Sequence, residues 1–488
     1  MGKKITDYLL YRWRYIIGYS IIGLTIVALL VISLFVPGGL SASEMDTVVK
    51  SSDLTFSSLD SFNPASIINL PYNILQRASI ELLGLSIFSI KLPSLILGAL
   101  STVGMILLLQ MWFKRNVAVL TTVLVITTGQ FLFVAQSGTP SIVYIFWSVW
   151  LLVAAMMVSR KAAYLGFWKI ILFSFAALSL YTPLSAYILI ALASAIVFHP
   201  HLRYLTRQVL RAKSKVLLAV ACALLIITPL IYFVTKDPSV GLALLGIPES
   251  LPNIIDNAKT LLKQYFDFSN PGSGTFMTPV YGLGSMVLIV LGIIRLASTK
   301  YTARSYIISA WTILLLPVIL INPGFSSITF VPAMLLMAMG ISSLLRSWYQ
   351  LFPRNPYARI AGLFPLTILI GGMFISGVDR YMYGYLYDPN ISTNFSHDLR
   401  LVSNQLDRKD RTPTTIVVSK DEVAFYEVLA SHRKDVTIST TSDTTLAVAT
   451  IVSHAAYHTG SFGAPNGILT DDKIRDADRF YLYNTDQK

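Results

Sequence analysis

The sequence predicts an α-helical polytopic membrane protein with a small extracytoplasmic α/β domain at its C-terminal end, and three observations predict it. Of the 488 residues 54% are hydrophobic and only 13% charged, with mean hydropathy +0.63, too apolar for a soluble domain. Uncharged runs recur from Tyr15 onward, each long enough to cross a hydrocarbon core of about 30 Å at about 1.5 Å per helical residue. Beyond residue 378 the pattern changes to short β-type and helical segments.

The N-terminal MGKKITDYLLYRWR carries four basic residues and precedes 21 uncharged ones, Tyr15 to Phe35. Ser41-Ala42-Ser43 resembles a signal-peptide cleavage site, but the apolar run exceeds the ~7 to 15 residues of such a peptide, so it reads as a retained anchor. Further charge-free runs lie at 92–113, 117–135, 140–158, 170–198, 216–235, 278–294, 305–322, 325–345 and 360–378. The run 170–198 is interrupted by Tyr181-Thr182-Pro183. Taken as one span it would place HPHLRYLTRQVLRAKSK outside, against the positive-inside rule, so it counts as two. About eleven spans result, with the N-terminus cytoplasmic, outward loops at 37–91 and 236–278, a membrane domain of residues 1–378 and an outward domain of residues 379–488.

Under this topology the cytoplasmic segments hold 20 Lys and Arg against one acid, Asp7, while the outward loops hold 6 basic and 9 acidic residues and the tail 12 and 15. The net charge of +13 therefore orients the chain on the bilayer, and nucleic acid is not a partner. The single cysteine, Cys222, excludes internal disulfides. No charge interrupts the spans, and neither an inverted repeat nor a phosphate-loop lysine motif marks a pump.

Asp7 alone cannot hold a metal on a nucleotide-sugar diphosphate, so carboxylate chemistry must face outward, where an activated donor would arrive on a lipid. The segment after the first span holds Glu44, Asp46, Asp53, Asp60 and Glu81. EMDTVVKSS is long enough for two helical turns, with Ser43 as its cap. The stretch around Pro71 reads as an interfacial amphipathic segment ended by Gly84. Lys91 lies at the membrane boundary, where a basic residue either snorkels or meets a phosphate. In the second loop, an amphipathic helix at 252–266 with Lys259 and Lys263, followed by DFSNPGSGTF, suits a lid. Tyr181 and Tyr187, beside a short outward turn, are candidates to line a cavity.

In the tail, TTIVVS, DVTIST, TLAVATIVS and RFYLYN read as strands and DEVAFYEVLASHRK as a helix, an α/β layer domain without a phosphate loop. His454 and His458 follow a strand-like run, and Asn390 and Asn394 begin sequons.

The order of a first span, an acidic loop, NLPYNILQ, LLGLSIFSIKLPSLILGAL, a short basic turn in WFKRNVAVLTTVLVITTGQFL and then AQSGTPS resembles the N-terminal half of the class C (GT-C) glycosyltransferases. It is most similar to their protein mannosyltransferase and aminoarabinose transferase branch, over residues 16 to 160. That branch has an Asp-Glu pair after the first span and an R-L-P-S stretch; this chain has Ser43-Glu44 followed by Asp46, and Lys91 at the basic position. The second outward loop, QSGTPS, lacks the acid often found there.

The resemblance implies a GT-C fold and inverting transfer of a sugar from a polyprenyl-phosphate or polyprenyl-diphosphate donor to a hydroxyl of a protein, lipid or glycan acceptor. The setting it implies is the outer face of a plasma membrane, a prokaryotic one before the endoplasmic reticulum. Such a reaction needs a carboxylate to take the acceptor proton and a cation on the departing phosphate. Glu44 is first choice for the base and Asp46 second; Lys91 is first choice for the phosphate, with Arg77 behind it. No cofactor is called for, and a divalent metal is not indicated. The alternatives are an inactive GT-C-like scaffold and a lipid-linked sugar translocase.

Overall fold

A computed structural model describes residues 13–54, 63–160, 164–211, 213–248, 250, 252–268, 279–299, 302–351, 356–408, 414–433, 435–440, 449–470 and 478–484. Asp7, Asp60 and most of DFSNPGSGTF lie outside them. The helices are α1 (Trp13–Ser33), α2 (Ala42–Ser52), α3 (Leu70–Leu83), α4 (Ile87–Trp112), α5 (Arg115–Ile126), α6 (Gly129–Gln136), α7 (Ser141–Ser159), α8 (Leu165–Ser179), α9 (Ala186–Phe198), α10 (Pro200–Arg211) and α11 (Lys213–Lys236). There follow α12 (Pro238–Leu245), α13 (Ile254–Phe266), α14 (Leu283–Ser298), α15 (Ala303–Ile321), α16 (Phe330–Leu351) and α17 (Pro356–Tyr387).

Among the described residues five helices, all or part of α4, α7, α11, α15 and α16, are long and apolar enough to cross a membrane. The expected span over 117–135 falls on a pair of helices, α5 and α6, apolar enough together to cross a membrane and bent by 66°. Thr128 caps α6 by accepting from the Phe131 N–H, which starts a new helix at the bend. The run 170–198 is divided as expected, into α8 and α9. The core is built chiefly from α4, α5, α7, α15 and α16, with Phe131 stacked on Phe330 and Trp311 fully buried.

Basic residues gather at one end of the bundle. Arg304 donates to the Trp112 carbonyl and lies over the Phe113 ring, Arg160 donates to the Met111 carbonyl, and Arg115 donates to the Tyr19 hydroxyl. The segments read as outward meet at the other end: the Asn69 N–H bonds to the Tyr181 carbonyl, Leu184 to Leu244, and Asn322 to Gly246.

The tail forms a five-stranded sheet in the order β2-β1-β3-β5-β4, with β1 (Thr414–Val417), β2 (Val436–Ser439), β3 (Ala449–Ser453), β4 (Gly467–Thr470) and β5 (Asp478–Asn484). β1 pairs parallel with β2 and β3, and β5 antiparallel with β3 and β4. The sequence reading missed β4, whose residues alternate between partly and fully exposed with none buried, and it missed the helix Leu399–Arg408. His454 and His458, expected after a strand, stand on a short helix, His454–Thr459, with rings 4.4 Å apart.

This domain is docked on the first outward segment. Leu40 and His397 form an antiparallel bridge, and Leu40, Met45, Val48, Ile80 and Ile90 share a core with Leu399, Val402, Phe425 and Tyr426. Gly39 is required there, since a Cβ would fall 2.2 Å from the Phe395 carbonyl oxygen. The His397 imidazole lies 3.3 Å from Glu422. Burial pushes its pKa below the ordinary value, aided by Arg479 and His454, although Glu422 pulls it up. The unfolded chain therefore binds the proton more readily, so this contribution to stability is complete above the ordinary histidine pKa of about 6.5 and is lost as pH falls through the lower folded value. Thermal midpoints should fall on acidification, and less steeply in His397→Gln; identical profiles would remove His397 as the cause.

Candidate functional site

Glu44 occupies the third position of α2. The expected cap was Ser43, but Ser41 caps the helix, because the reciprocal capping box needs the serine three residues before the glutamate. The Glu44 carboxylate accepts from the Ser41 N–H at 2.9 Å and the Ser41 hydroxyl at 3.2 Å on one oxygen, and from the Gly138 N–H at 2.6 Å on the other. It is 1% exposed. The box faces inward, so a motif that ordinarily only starts a helix here fixes a buried carboxylate.

Lys91 is reached from a different element. α4 begins at the capping pair Ser86 and Ser89 and contains Pro93, which has no N–H for the Ser89 carbonyl. That carbonyl accepts instead from the Ser79 hydroxyl of α3 at 2.7 Å, and the Ile90 carbonyl accepts from Gln76 at 3.1 Å. α3 thereby clamps the first turns of α4. Its polar residues Asn73, Gln76 and Ser79 are buried, while Ile74, Leu75, Leu82 and Leu83 are exposed, the arrangement of a helix with its apolar face toward lipid.

The Lys91 ammonium does not snorkel. Its side chain is fully buried, with Nζ 3.0 Å from Gln136 Oε1 and 4.0 Å from Glu44 Oε1. The loop between α6 and α7 closes the third side. Gly138 gives its N–H to Glu44 and its carbonyl accepts from Gln76 at 3.0 Å, while Gln76 Oε1 accepts from Ser51 at 2.6 Å. Only glycine fits at 138, since a Cβ would sit 2.7 Å from Ile90 and 3.4 Å from the Glu44 side chain. Tyr72 shares a 2.8 Å hydrogen bond with Ser94, and burial pushes its phenol well above its usual pKa, so it stays neutral.

Gln136 is fully buried, and its Nε2 has no hydrogen-bond partner among the described residues. The Tyr381 hydroxyl, which donates to the Ser33 carbonyl, lies close to this amide, so an amide donor beside an ammonium faces a hydroxyl oxygen, an arrangement suited to an oxygen-rich anion or a sugar. Sequence reading missed Ser41, Gln76, Gln136, Gly138 and also Asp398, a fully buried carboxylate whose charge acts on Lys91. The small-residue stretch AQSGTPS was the one visible signal for Gln136 and Gly138.

The other residues named from sequence lie apart from this cluster. Asp46 is on the exposed side of α2 and pairs with Lys50 at 2.6 Å, and Arg77 pairs with Glu81 one turn along α3 at 2.6 Å. Lys259 pairs with Asp256 on the exposed helix α13, and Lys263 is exposed on the same helix. Tyr181 is buried and donates to the Ile226 carbonyl at 2.6 Å. No group of three or more metal-ligating side chains occurs among the described residues.

The chain matches no protein-family model, and no curated protein is similar to it in sequence. It is similar in structure to ArnT from Cupriavidus metallidurans bound to undecaprenyl phosphate, with TM-score 0.53 and 11% identity, covering 95% of this chain and 97% of that one. The apo form of that protein gives 0.51 at 12% identity, with 96% and 98% covered. The archaeal oligosaccharyltransferase AglB from Archaeoglobus fulgidus gives 0.46 at 13%, with 84% and 64% covered. Nearly end to end, the chain shares its overall fold with ArnT.

Proposed function

We propose that the protein is a membrane glycosyltransferase that moves a sugar from a polyprenyl-phosphate donor to an acceptor hydroxyl, with inversion. The observation that carries this reading is the buried convergence of the Glu44 carboxylate, the Lys91 ammonium and the unpartnered Gln136 amide. Support comes from the fold, which is that of a protein solved with undecaprenyl phosphate.

In the proposed reaction the acceptor oxygen attacks the anomeric carbon, the bond to the carrier phosphate breaks on the opposite face, and the acceptor proton passes to Glu44. Both carboxylate oxygens already have donors, so the acceptor must displace one. The Ser41 hydroxyl, at 3.2 Å, has the longest of those contacts and the same chemistry as an incoming hydroxyl. Access comes from the side of Ser43, which is exposed and 3.1 Å from the Ser41 hydroxyl. Lys91 and Gln136 would bind the departing phosphate, and a cation there offsets its developing charge.

The test is transfer by purified protein from polyprenyl-phosphate donors carrying different sugars to protein, lipid and glycan acceptors. Carrier reorientation in vesicles without transfer would favour a translocase instead. The site is proposed to face outward, as the basic residues at the opposite end of the bundle imply. A cysteine at exposed Ser461 in a Cys222→Ser background should label with an impermeant reagent in intact cells. Labelling only after permeabilisation would reverse the orientation.

A further inference from the structure

A cavity of about 700 Å³ lies between α14 and α17 and against the bend that joins α5 to α6. That volume is within the usual range for ligand sites, roughly 300 to 1,000 Å³. Its wall is mainly apolar, with Leu124, Val280, Leu288, Leu291 and Leu344; Thr127, Thr128 and Gln130 at the bend, with Ser285 and Ser376, are its polar side chains, and Arg380 is its one cation among the described residues. Exposed Leu283 and Val287 on α14 and Ile368 on α17 show that the mouth faces lipid.

Arg380 is half-buried, no carboxylate among the described residues pairs with it, and the side chain whose charge acts on it is the Tyr385 phenol. Neighbouring Asp379 lines a separate groove with Tyr383 and Tyr387, and Tyr381 turns away to donate to the Ser33 carbonyl. A guanidinium held against an apolar wall without an anion is costly, whereas a phosphate oxygen pair satisfies its planar fork. Ile368, also in the wall, lies twelve residues along α17 from Arg380, roughly 18 Å of helix. The cavity thus presents one cation and a mainly apolar wall extending about 18 Å along α17, a combination suited to a single-chain lipid monophosphate.

We propose that the protein has a second lipid-phosphate site, separate from Glu44 and Lys91, in which Arg380 holds the phosphate of a polyprenyl phosphate and the cavity takes its hydrocarbon chain. The identity of the occupant rests on the transferase reading above. The two sites lie on either side of α17, since Tyr381 faces α1 while Arg380 faces the slot.

Native mass spectrometry of the purified protein with undecaprenyl phosphate tests this. The wild type should bind two equivalents. Arg380→Gln should weaken one of them about ten- to hundred-fold, as expected for loss of hydrogen bonds to a charged group. Gly372→Phe keeps the arginine and enters open space in the cavity wall, so it should remove the same equivalent by excluding the chain. Lys91→Met should remove the other. Retention of two equivalents in Arg380→Gln, equal binding of uncharged undecaprenol, or displacement by phosphatidylglycerol would each overturn the proposal. Two equivalents bound without transfer under any donor would sink the transferase reading and leave this site standing.

Discussion

Glu44→Gln lowers sugar transfer by about 100- to 10,000-fold, the usual worth of a general base, while donor binding is retained. The amide keeps the shape but has one acceptor oxygen, so it can serve the Gly138 N–H or the Ser41 N–H and not both. A buried donor left unsatisfied costs about 1 to 3 kcal/mol, so turnover must be measured per folded molecule. Asp46→Asn is the control. Asp46 is exposed and, among the described residues, engaged only with Lys50 on its own helix, and its loss leaves transfer within a factor of about two or three. Loss of transfer in Asp46→Asn but not in Glu44→Gln would make Asp46 the base. Full activity in both would remove the carboxylate from the mechanism.

Lys91→Met is expected to have the largest effect on folding as well as on donor binding. The substitution keeps much of the volume but leaves Glu44 without its nearest cation, and breaking a buried pair costs about 3 to 5 kcal/mol. The double variant Lys91→Met, Glu44→Gln separates structure from chemistry. Removing both charges should recover most of the lost stability, a coupling that a double-mutant cycle measures directly. Donor affinity should not recover with it, because the phosphate would still lack its cation. Wild-type donor affinity in the refolded double variant would confine Lys91 to a structural part. Lys91→Arg should weaken donor binding less than Lys91→Met, because arginine keeps a charge that can reach a phosphate, although its geometry differs.

The parts of this site that sequence revealed are those whose signal is local. Glu44 could be named because it holds the second place of the acidic pair in the resembling family and starts a helix after the first span, and Lys91 because it holds the basic position of the R-L-P-S stretch at a span boundary. What sequence could not show is that the two approach each other. Gly138 lies 94 positions from Glu44 and Gln136 lies 45 from Lys91, and no periodicity connects residues so far apart. Asp398 approaches Lys91 only because the tail folds back over α2, which composition does not encode. Arg77 and Lys259 were visible as cations, but each has an acid within one turn of its own helix. The bend between α5 and α6 was hidden for another reason: Thr127-Thr128-Gly129-Gln130 carries no charge, so a reading by charge-free runs passes straight through it. Fold class was legible because the bilayer demands long apolar helices whatever their packing.

The bridge from Leu40 to His397 also orders events during synthesis. The two residues are 357 positions apart, and at about 5 to 20 residues per second the ribosome needs roughly 20 to 70 s to pass from one to the other. For that interval Leu40, Met45 and Val48 are without the tail residues that bury them, and Lys91 is without Asp398. The carboxylate loop therefore reaches its final form only after the tail has been made, so a product stalled before His397 has helices α1 to α17 and an unfinished site.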